Sequence, residues 1–261
     1  MLEILILILI GALAGILAGL FGIGGGLVIV PALLWLLTVQ GAELDLAMPM
    51  AVASALGSML LTSASSAFAH ARKQALDWAA ILRLAPAMAI GAVFGAWLAV
   101  RIPGQALAWL FAAFAAWVGL RMLMGAGRAR AESRAAKARL WWLVGPGIGA
   151  ISAMLGIGGA SFNVPYLSRN GYNTMQAVAM AAACGWLLAL AGSVGFMLQL
   201  DVQLWPNSLG YWYWPAVLVV GISGLLAAPL GAGWAHRLGS ARLARLFGIL
   251  LLVVAVRMAL Q

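Results

Sequence analysis

Long apolar runs, separated by short polar or basic segments, fill almost the whole of this 261-residue chain. Most of the runs reach the roughly 20 residues that a helix needs to cross the hydrocarbon core of a bilayer. In each half of the chain the pattern predicts a first segment that leads into a glycine-rich loop, a short second segment, and three long helices. The predicted segments are 4–21, 27–39, 47–70, 78–100 and 105–124, followed by 141–155, 161–167, 174–199, 212–235 and 241–260.

Two glycine-rich phrases interrupt the apolar runs at the same relative place. GLFGIGGGLVIVPALL occupies residues 19–34, and MLGIGGASFNVPYL occupies residues 154–167. Segment 161–167 is too short to span a bilayer, because a helix rises only 1.5 Å per residue. The two segments around each glycine loop therefore form either one broken helix that crosses the membrane or a hairpin that enters and returns.

An internal repeat relates the two phrases. When the chain is shifted by 134 positions, nine residues within 23 ungapped positions are identical with their counterparts: Gly11, Gly15, Gly22, Ile23, Gly24, Gly25, Val30, Pro31 and Leu33. A shift by 136 positions superposes residues 95–111 on residues 231–247. We interpret the chain as a first membrane repeat (1–124), a linker (125–140) and a second membrane repeat (141–261).

The composition excludes several classes of protein. Hydrophobic residues make up 65% of the chain and charged residues only 8%, whereas a soluble domain carries about 25% charged residues. The chain lacks the alternation of polar and apolar residues that is typical of membrane β-barrel strands. The net charge of +9 comes from Arg and Lys residues between the apolar runs, where they set topology, so we expect no nucleic-acid binding.

The distribution of these charges favours hairpins over crossing segments at the glycine loops. The linker contains Arg128, Arg130, Arg134, Lys137 and Arg139, which places it in the cytoplasm. With hairpins, each half crosses the membrane an odd number of times, and most other Arg and Lys residues also lie on the cytoplasmic side. We therefore expect an all-α polytopic membrane protein with two homologous halves arranged as inverted repeats. Each half has a glycine-broken helix hairpin and three transmembrane helices.

The glycine loops are candidate binding sites for a small anion. Glycine permits left-handed backbone angles, and successive backbone N–H groups turned inward form an anion-binding nest. The helix that follows each loop adds the positive end of its dipole. Close packing between membrane helices is the alternative role of such glycines. The candidate substrate-binding glycines are Gly22, Gly24, Gly25, Gly26, Gly156, Gly158 and Gly159.

At the level of whole phrases, the sequence resembles the TauE/SafE-type sulfite exporter family, a set of bacterial anion permeases. The resembling phrases are GALAGILAGLFGIGGGLVIVPAL, LTSASSAFAHARKQALDW, GIGAISAMLGIGGASFNVPYL, NSLGYWYWPA and APLGAGWAHRL, followed by LARLF. They spread over nearly the whole chain in the expected order. The resemblance implies export, or sometimes uptake, of small sulfur oxyanions and organosulfonates across the cytoplasmic membrane.

Hydroxyl groups within one apolar segment are further candidates for substrate binding. Ser54, Ser58 and Thr62 recur at intervals of four residues, so they share one face of a predicted helix and offer donors to an oxyanion. Back-bonding to their own helix, or contact with a neighbouring helix, is the open alternative.

Other polar side chains occur beside the second glycine loop and at a helix end. Ser161 and Asn163 follow the second loop, at positions where the first half has Leu27 and Ile29. This asymmetry indicates that Asn163 is a donor to the substrate, with packing or capping as the alternative. His70 lies near the predicted cytoplasmic end of a helix and is a candidate for a gating or proton-transfer role.

The sequence predicts transport and not catalysis. It contains no HExxH, GxSxG or P-loop motif, and we expect no catalytic residues, metal or cofactor. We predict a permease of the bacterial cytoplasmic (inner) membrane that exports a small inorganic or organic sulfur oxyanion, driven by the membrane potential. A proton-coupled transporter of the same anions and a non-transporting scaffold or assembly factor are the alternatives. Besides the lipid bilayer and the anion, a second copy of the chain in a homodimer remains an open partner.

Overall fold

A computed structural model describes residues 1–21, 25–71, 76–124, 141–199, 204–235 and 240–261. The described helices of the first half are α1 (Leu2–Phe21), α2 (Gly26–Val39), α3 (Leu44–Ala71), α4 (Trp78–Ala99) and α5 (Gly104–Leu123). Those of the second half are α6 (Trp141–Met154), α7 (Ala160–Arg169), α8 (Thr174–Met197), α9 (Trp214–Ala235) and α10 (Ser240–Ala259). The linker predicted at 125–140 lies outside the described residues.

Six of the described helices are long and apolar enough to cross a membrane, namely α1, α3, α4, α5, α8 and α9. The helices that flank the second glycine loop are shorter, with 14 residues in α6 and 10 in α7. The predicted class, an all-α polytopic membrane protein, is confirmed. Each glycine phrase interrupts the helix at its predicted place, between α1 and α2 and between α6 and α7.

Helix packing has the same pattern when the two halves are exchanged. Helix α1 packs mainly on α9, and its counterpart α6 packs mainly on α4, which is the counterpart of α9. The pair formed by α3 and α9 corresponds in the same way to the pair formed by α8 and α4. Two further pairs, α3 with α8 and α5 with α10, each join a helix to its own counterpart. The main interfaces therefore lie between the halves and not within them.

Glycines determine how closely α1 and α9 approach each other. Gly11 and Gly15 of α1 lie against Val220 and Gly224 of α9, and this order of contacts means that the two helices run parallel. A Cβ atom on Gly15 would lie 2.7 Å from the Cα atom of Gly224, which is closer than two carbon atoms pack. Only glycine permits this backbone-to-backbone spacing.

The counterpart interface between α4 and α6 is built in the same way. Gly91 and Gly95 of α4 lie against Pro146 and Ala150 of α6, so these helices also run parallel. A Cβ atom on Gly95 would lie 2.7 Å from the Cα atom of Ala150.

Helix α3 lies between the halves and contacts both α9 and α8. It runs parallel to α9, because Gly57 lies beside Val217 and Thr62 lies beside Gly224. It runs antiparallel to α8, and α8 in turn runs parallel to α4. Helices α1, α3 and α9 therefore point in one direction, and α4, α6 and α8 point in the opposite direction.

A short β-hairpin lies between α8 and α9 and corrects the predicted start of a helix at residue 212. Strands β1 (Ser208–Leu209) and β2 (Trp212–Tyr213) pair antiparallel, and α9 begins only at Trp214. Asn207 and Gly210 take left-handed backbone angles, with φ of 57° and 55°, and such turn conformations interrupt a helix. The aromatic side chains of β2 are buried in the protein.

We expect Gly95→Leu to destabilise the protein and Gly147→Leu to be tolerated. A side chain at Gly95 would overlap the backbone of Ala150, and overpacking of this kind costs about 1–3 kcal/mol. Gly147 lies on the exposed face of α6, with nothing within 4 Å of the position that a Cβ atom would take. Thermal unfolding of both variants in detergent measures the difference. Equal melting temperatures would contradict the packing role of Gly95.

Candidate functional site

The two glycine loops meet inside the protein. A Cβ atom on Gly26, the first residue of α2, would collide with the carbonyl oxygen of Gly156 and lie 3.1 Å from the Cα atom of Ile157. A Cβ atom on Gly156 would in turn lie 2.7 Å from the side chain of Val30 and 3.2 Å from the Cα atom of Val52 on α3. Backbone from both halves therefore comes together at one buried position.

The first loop is described only in part. Gly22 and Gly24 lie outside the described residues. Gly25 is the N-cap of α2 with a φ of 76°, a left-handed angle, and the position of its missing Cβ is 3.2 Å from the carbonyl oxygen of Ala14 on α1. Gly159 is the N-cap of α7 with a φ of 72°, so both short helices begin from the same left-handed conformation, which glycine adopts readily.

Unpaired backbone donors lie at the N-terminus of α7. Within the second loop the N–H of Ile157 donates to Ser152 at 2.8 Å, so part of the backbone is satisfied internally. The N–H groups of Gly158, Ala160 and Ser161 have no acceptor among the described residues. The first N–H groups of a helix lack intrahelical partners and carry the positive end of its dipole. This helix end is therefore a neutral cradle that matches a small anion.

Asn163 lies one turn into α7 and adds a buried amide to this cradle. Its side chain is 0% exposed, and its Nδ2 atom is 3.3 Å from the place that a Cβ atom would take on Gly159. Within the described part of the chain, neither Oδ1 nor Nδ2 has a hydrogen-bond partner, and the buried Oγ atom of Ser161 has none either. A buried polar group without a partner costs about 1–3 kcal/mol, so these atoms indicate a ligand.

The corresponding positions of the first half carry no polar side chain. Leu27 and Ile29 take the places of Ser161 and Asn163 and are 1% and 0% exposed. In the described residues, the N-termini of α2 and α7 therefore differ, with polar side chains at these two positions in α7 and apolar ones in α2.

The hydroxyl groups of α3 are buried and engaged with backbone. Ser54 Oγ accepts a hydrogen bond from the N–H of Tyr213 in β2 at 2.9 Å, and Ser58 Oγ donates to the carbonyl of Ser54 at 2.8 Å. Thr62 Oγ1 donates to the carbonyl of Ser58 at 3.4 Å. These bonds match the alternative of back-bonding and interhelical contact, and their role in anion binding stays a prediction. An anion that accepts from Ser58 or Thr62 would have to replace their existing bonds, whereas the hydroxyl hydrogen of Ser54 is engaged in no described bond.

Two buried serines near the second loop were not singled out by the sequence analysis. Ser152 on α6 is 0% exposed and Ser193 on α8 is 1% exposed, and in the described structure the Oγ atom of each lacks a hydrogen-bond partner. The carbonyl of Ser152 accepts the N–H of Ile157, and Ser193 follows Gly192, on which a Cβ atom would lie 3.5 Å from the side chain of Ala153. The sequence does contain a signal for these two serines, because each is an isolated hydroxyl residue within an apolar segment.

His70 lies within α3, but its side chain is outside the described part of the chain. A polar cluster that is described lies at the start of α4, beyond the membrane-spanning segments. Asp77 caps α4 by accepting from the N–H of Ala80 at 3.1 Å, and Tyr172 OH donates to its other carboxylate oxygen at 2.6 Å. The bond from Tyr172 lowers the pKa of Asp77, and burial raises the pKa of Tyr172 to about 12. This cluster ties the loop before α8 to α4.

Sequence comparisons identify the family. The family profile described as sulfite exporter TauE/SafE matches residues 7–258. The chain belongs to the TauE/SafE sulfite exporter family. It is therefore a multi-pass membrane transporter and not an enzyme, and membership implies a small anion as substrate.

Similar proteins from other microbes are described as probable membrane transporter proteins. A probable membrane transporter protein of Haemophilus influenzae is 34% identical, over 99% of this chain and 98% of its own length. Another from Xylella fastidiosa (strain Temecula1) is 30% identical over 94% and 91% of the two chains, and one from Methanocaldococcus jannaschii is 27% identical over 87% and 84%. No solved structure matches the chain.

We expect Ser54→Ala to loosen the β-hairpin between α8 and α9. The substitution removes the acceptor of the Tyr213 N–H and leaves a buried donor unpaired, which costs about 1–3 kcal/mol. Hydrogen exchange at the amide of Tyr213 measures this loss. Ser63→Ala is the matched control, because Ser63 is buried on the same helix and makes no described hydrogen bond to the hairpin. Equal protection in the two variants would refute the assignment.

Proposed function

We propose that this transporter exports a small sulfur oxyanion, sulfite or an organosulfonate, across the bacterial cytoplasmic membrane. The observation that carries the proposal is the buried N-terminus of α7, where the N–H groups of Gly158, Ala160 and Ser161 and the amide of Asn163 have no partner among the described residues. Such a cradle binds anions through dipoles and hydrogen bonds without a fixed positive charge. In this proposal the candidate glycines of the first half would line the same anion passage: Gly22, Gly24, Gly25 and Gly26.

We also propose that the halves 1–124 and 141–261 are inverted repeats joined by a cytoplasmic linker. The opposite directions of α3 and α8, and of α1 and α6, support this arrangement. The common direction of α1 and α3 supports a hairpin at the first glycine loop, because α2 must return between them. Inverted repeats with broken helices are a recurring plan among transporters.

The charges at the two ends of the bundle agree with this topology. The end at which α3, α5 and α9 finish carries the basic residues Arg83, Arg121, Arg169 and Arg245 together with the acidic Asp77. The opposite end, where α1, α3 and α5 begin, carries Glu3, Glu43 and Asp45 together with Arg101 and Arg257. A basic excess marks the cytoplasmic side, so the first end faces the cytoplasm.

Export can be driven by the membrane potential alone. Among the described acidic residues, Glu3, Glu43, Asp45 and Asp77 lie at or next to the first turns of helices, so this part of the chain offers no carboxylate at membrane depth to carry a coupling ion. An interior-negative potential favours the exit of an anion by about 2.3 kcal/mol per charge at 100 mV.

Flux in proteoliposomes tests the driving force. With sulfite and a potential set by a potassium gradient and valinomycin, 100 mV should shift the equilibrium distribution of a monovalent anion by about fiftyfold. The potential should act without a pH gradient. Transport that ignores the potential and requires a pH gradient would instead support the proton-coupled alternative.

Alanine substitution at a left-handed glycine tests the cradle. We expect Gly159→Ala to lower sulfite flux by about tenfold or more, because its Cβ would lie 3.0–3.3 Å from Met88, Leu188 and the amide of Asn163 and strain the helix N-terminus. Gly171→Ala is the matched control, since Gly171 has a φ of 93° but nothing within 4 Å of the added atom. Both substitutions carry backbone strain, and only the first reaches the cradle. Equal flux in the two variants would contradict the proposed site.

A further inference from the structure

The atoms at the N-terminus of α7 that have no partner among the described residues are not all donors. The backbone N–H groups of Gly158, Ala160 and Ser161 and the Nδ2 atom of Asn163 donate, but the Oδ1 atom of Asn163 only accepts. If the amide oxygen and nitrogen of Asn163 were exchanged, the two atoms would swap positions, but the site would still contain the same donors and the same acceptor. Ser161 Oγ does not satisfy the acceptor, because both atoms lack a partner in the described structure.

An anion that offers only lone pairs would satisfy this set incompletely. Its oxygens would accept from the backbone and from Nδ2, but Oδ1 would remain buried and unpaired beside a negative charge. Leaving a buried polar group unpaired costs about 1–3 kcal/mol, and the neighbouring charge adds to this cost. A ligand that also presents an O–H or N–H group removes the penalty.

We infer that the transported anion carries a hydrogen-bond donor next to its charged oxygens, and that Asn163 selects for it. The inference rests on the proposed function and specifies its substrate class: hydrogen sulfite, or a sulfonate that bears a hydroxyl or amino group. The charged oxygens lie at the backbone N–H groups, and the donor points to Oδ1 of Asn163. The first half provides no such selection, because Leu27 and Ile29 occupy the corresponding positions.

A pair of sulfonates that differ in one group tests the selection. Isethionate and propane-1-sulfonate have the same charge and nearly the same size, but only isethionate has a hydroxyl in place of the terminal methyl group. In proteoliposomes at a fixed potential, the wild-type protein should transport isethionate about tenfold faster than propane-1-sulfonate. Asn163→Leu should make the two rates equal, since it removes both the donor and the acceptor.

Asn170→Leu is the control variant. Asn170 lies at the opposite end of α7, and its Nδ2 atom already donates to the carbonyl of Tyr166 at 2.8 Å, so the preference for isethionate should persist. An apolar residue is tolerated at the counterpart of Asn163 in the first half, which makes Asn163→Leu compatible with folding. Thermal unfolding of both variants in detergent verifies this directly.

The outcomes separate the selection from the transport function. Equal wild-type rates for the two sulfonates, or a preference that survives in Asn163→Leu, overturn the inference and leave the proposed function intact. If the protein transports neither sulfite nor either sulfonate, the proposed function itself is overturned. If only sulfite is transported, its flux above that of protein-free liposomes is measured between pH 6 and 8. A rate that follows hydrogen sulfite supports the inference, and a rate that follows the dianion overturns it.

Discussion

The polarity of the peptide backbone is the constraint on which this structure depends. Hydrocarbon offers no hydrogen-bond partner to an N–H or C=O group, so a helix inside a membrane can be interrupted only where protein or water surrounds the break. The second break is enclosed by protein, with Gly26 against Gly156 and Gly158 against Gly185. The enclosure permits a helix N-terminus in the interior, where its partial positive charge is poorly screened. The packing of the other helices forms this enclosure.

Close backbone contact between the halves follows from that requirement. Helices α1 and α4 bury their glycines against α9 and α6, and the resulting pairs approach at distances that any side chain would prevent. Without a hydrophobic driving force between membrane helices, such packing contacts are a main source of association. The same contacts leave little free space between the loops, since Gly26 rests on the carbonyl of Gly156. In the transport proposed above, Gly26 and Gly156 would have to separate for an anion to pass between them.

The sequence predicts the helices and their breaks well, because apolar length and glycine clusters are local features. A predicted helix over 78–100 corresponds to α4 at Trp78–Ala99, and both glycine phrases interrupt helices as expected. The hairpin at Ser208–Tyr213 is not predicted, since the burial of Trp212 and Tyr213 depends on contacts with distant helices. Only the fold reveals that Ser54, 159 residues before Tyr213, accepts the N–H of that residue.

Asn163 illustrates how far the candidate site can be predicted and why the remainder needs the structure. Its position after the second glycine loop, where the first half has Ile29, indicates a polar role from sequence alone. Only the fold shows that the amide is fully buried, lies against Gly159 and has no partner for either of its polar atoms in the described part of the chain. An asymmetric cradle also has a physical consequence for transport. Two equally polar helix ends would offer an anion two positions, whereas the proposed site has one polar end, because Leu27 and Ile29 take the corresponding places in the first half. A single position without fixed charge binds reversibly, and a facilitator driven only by the potential needs an affinity weak enough to release its substrate on the far side.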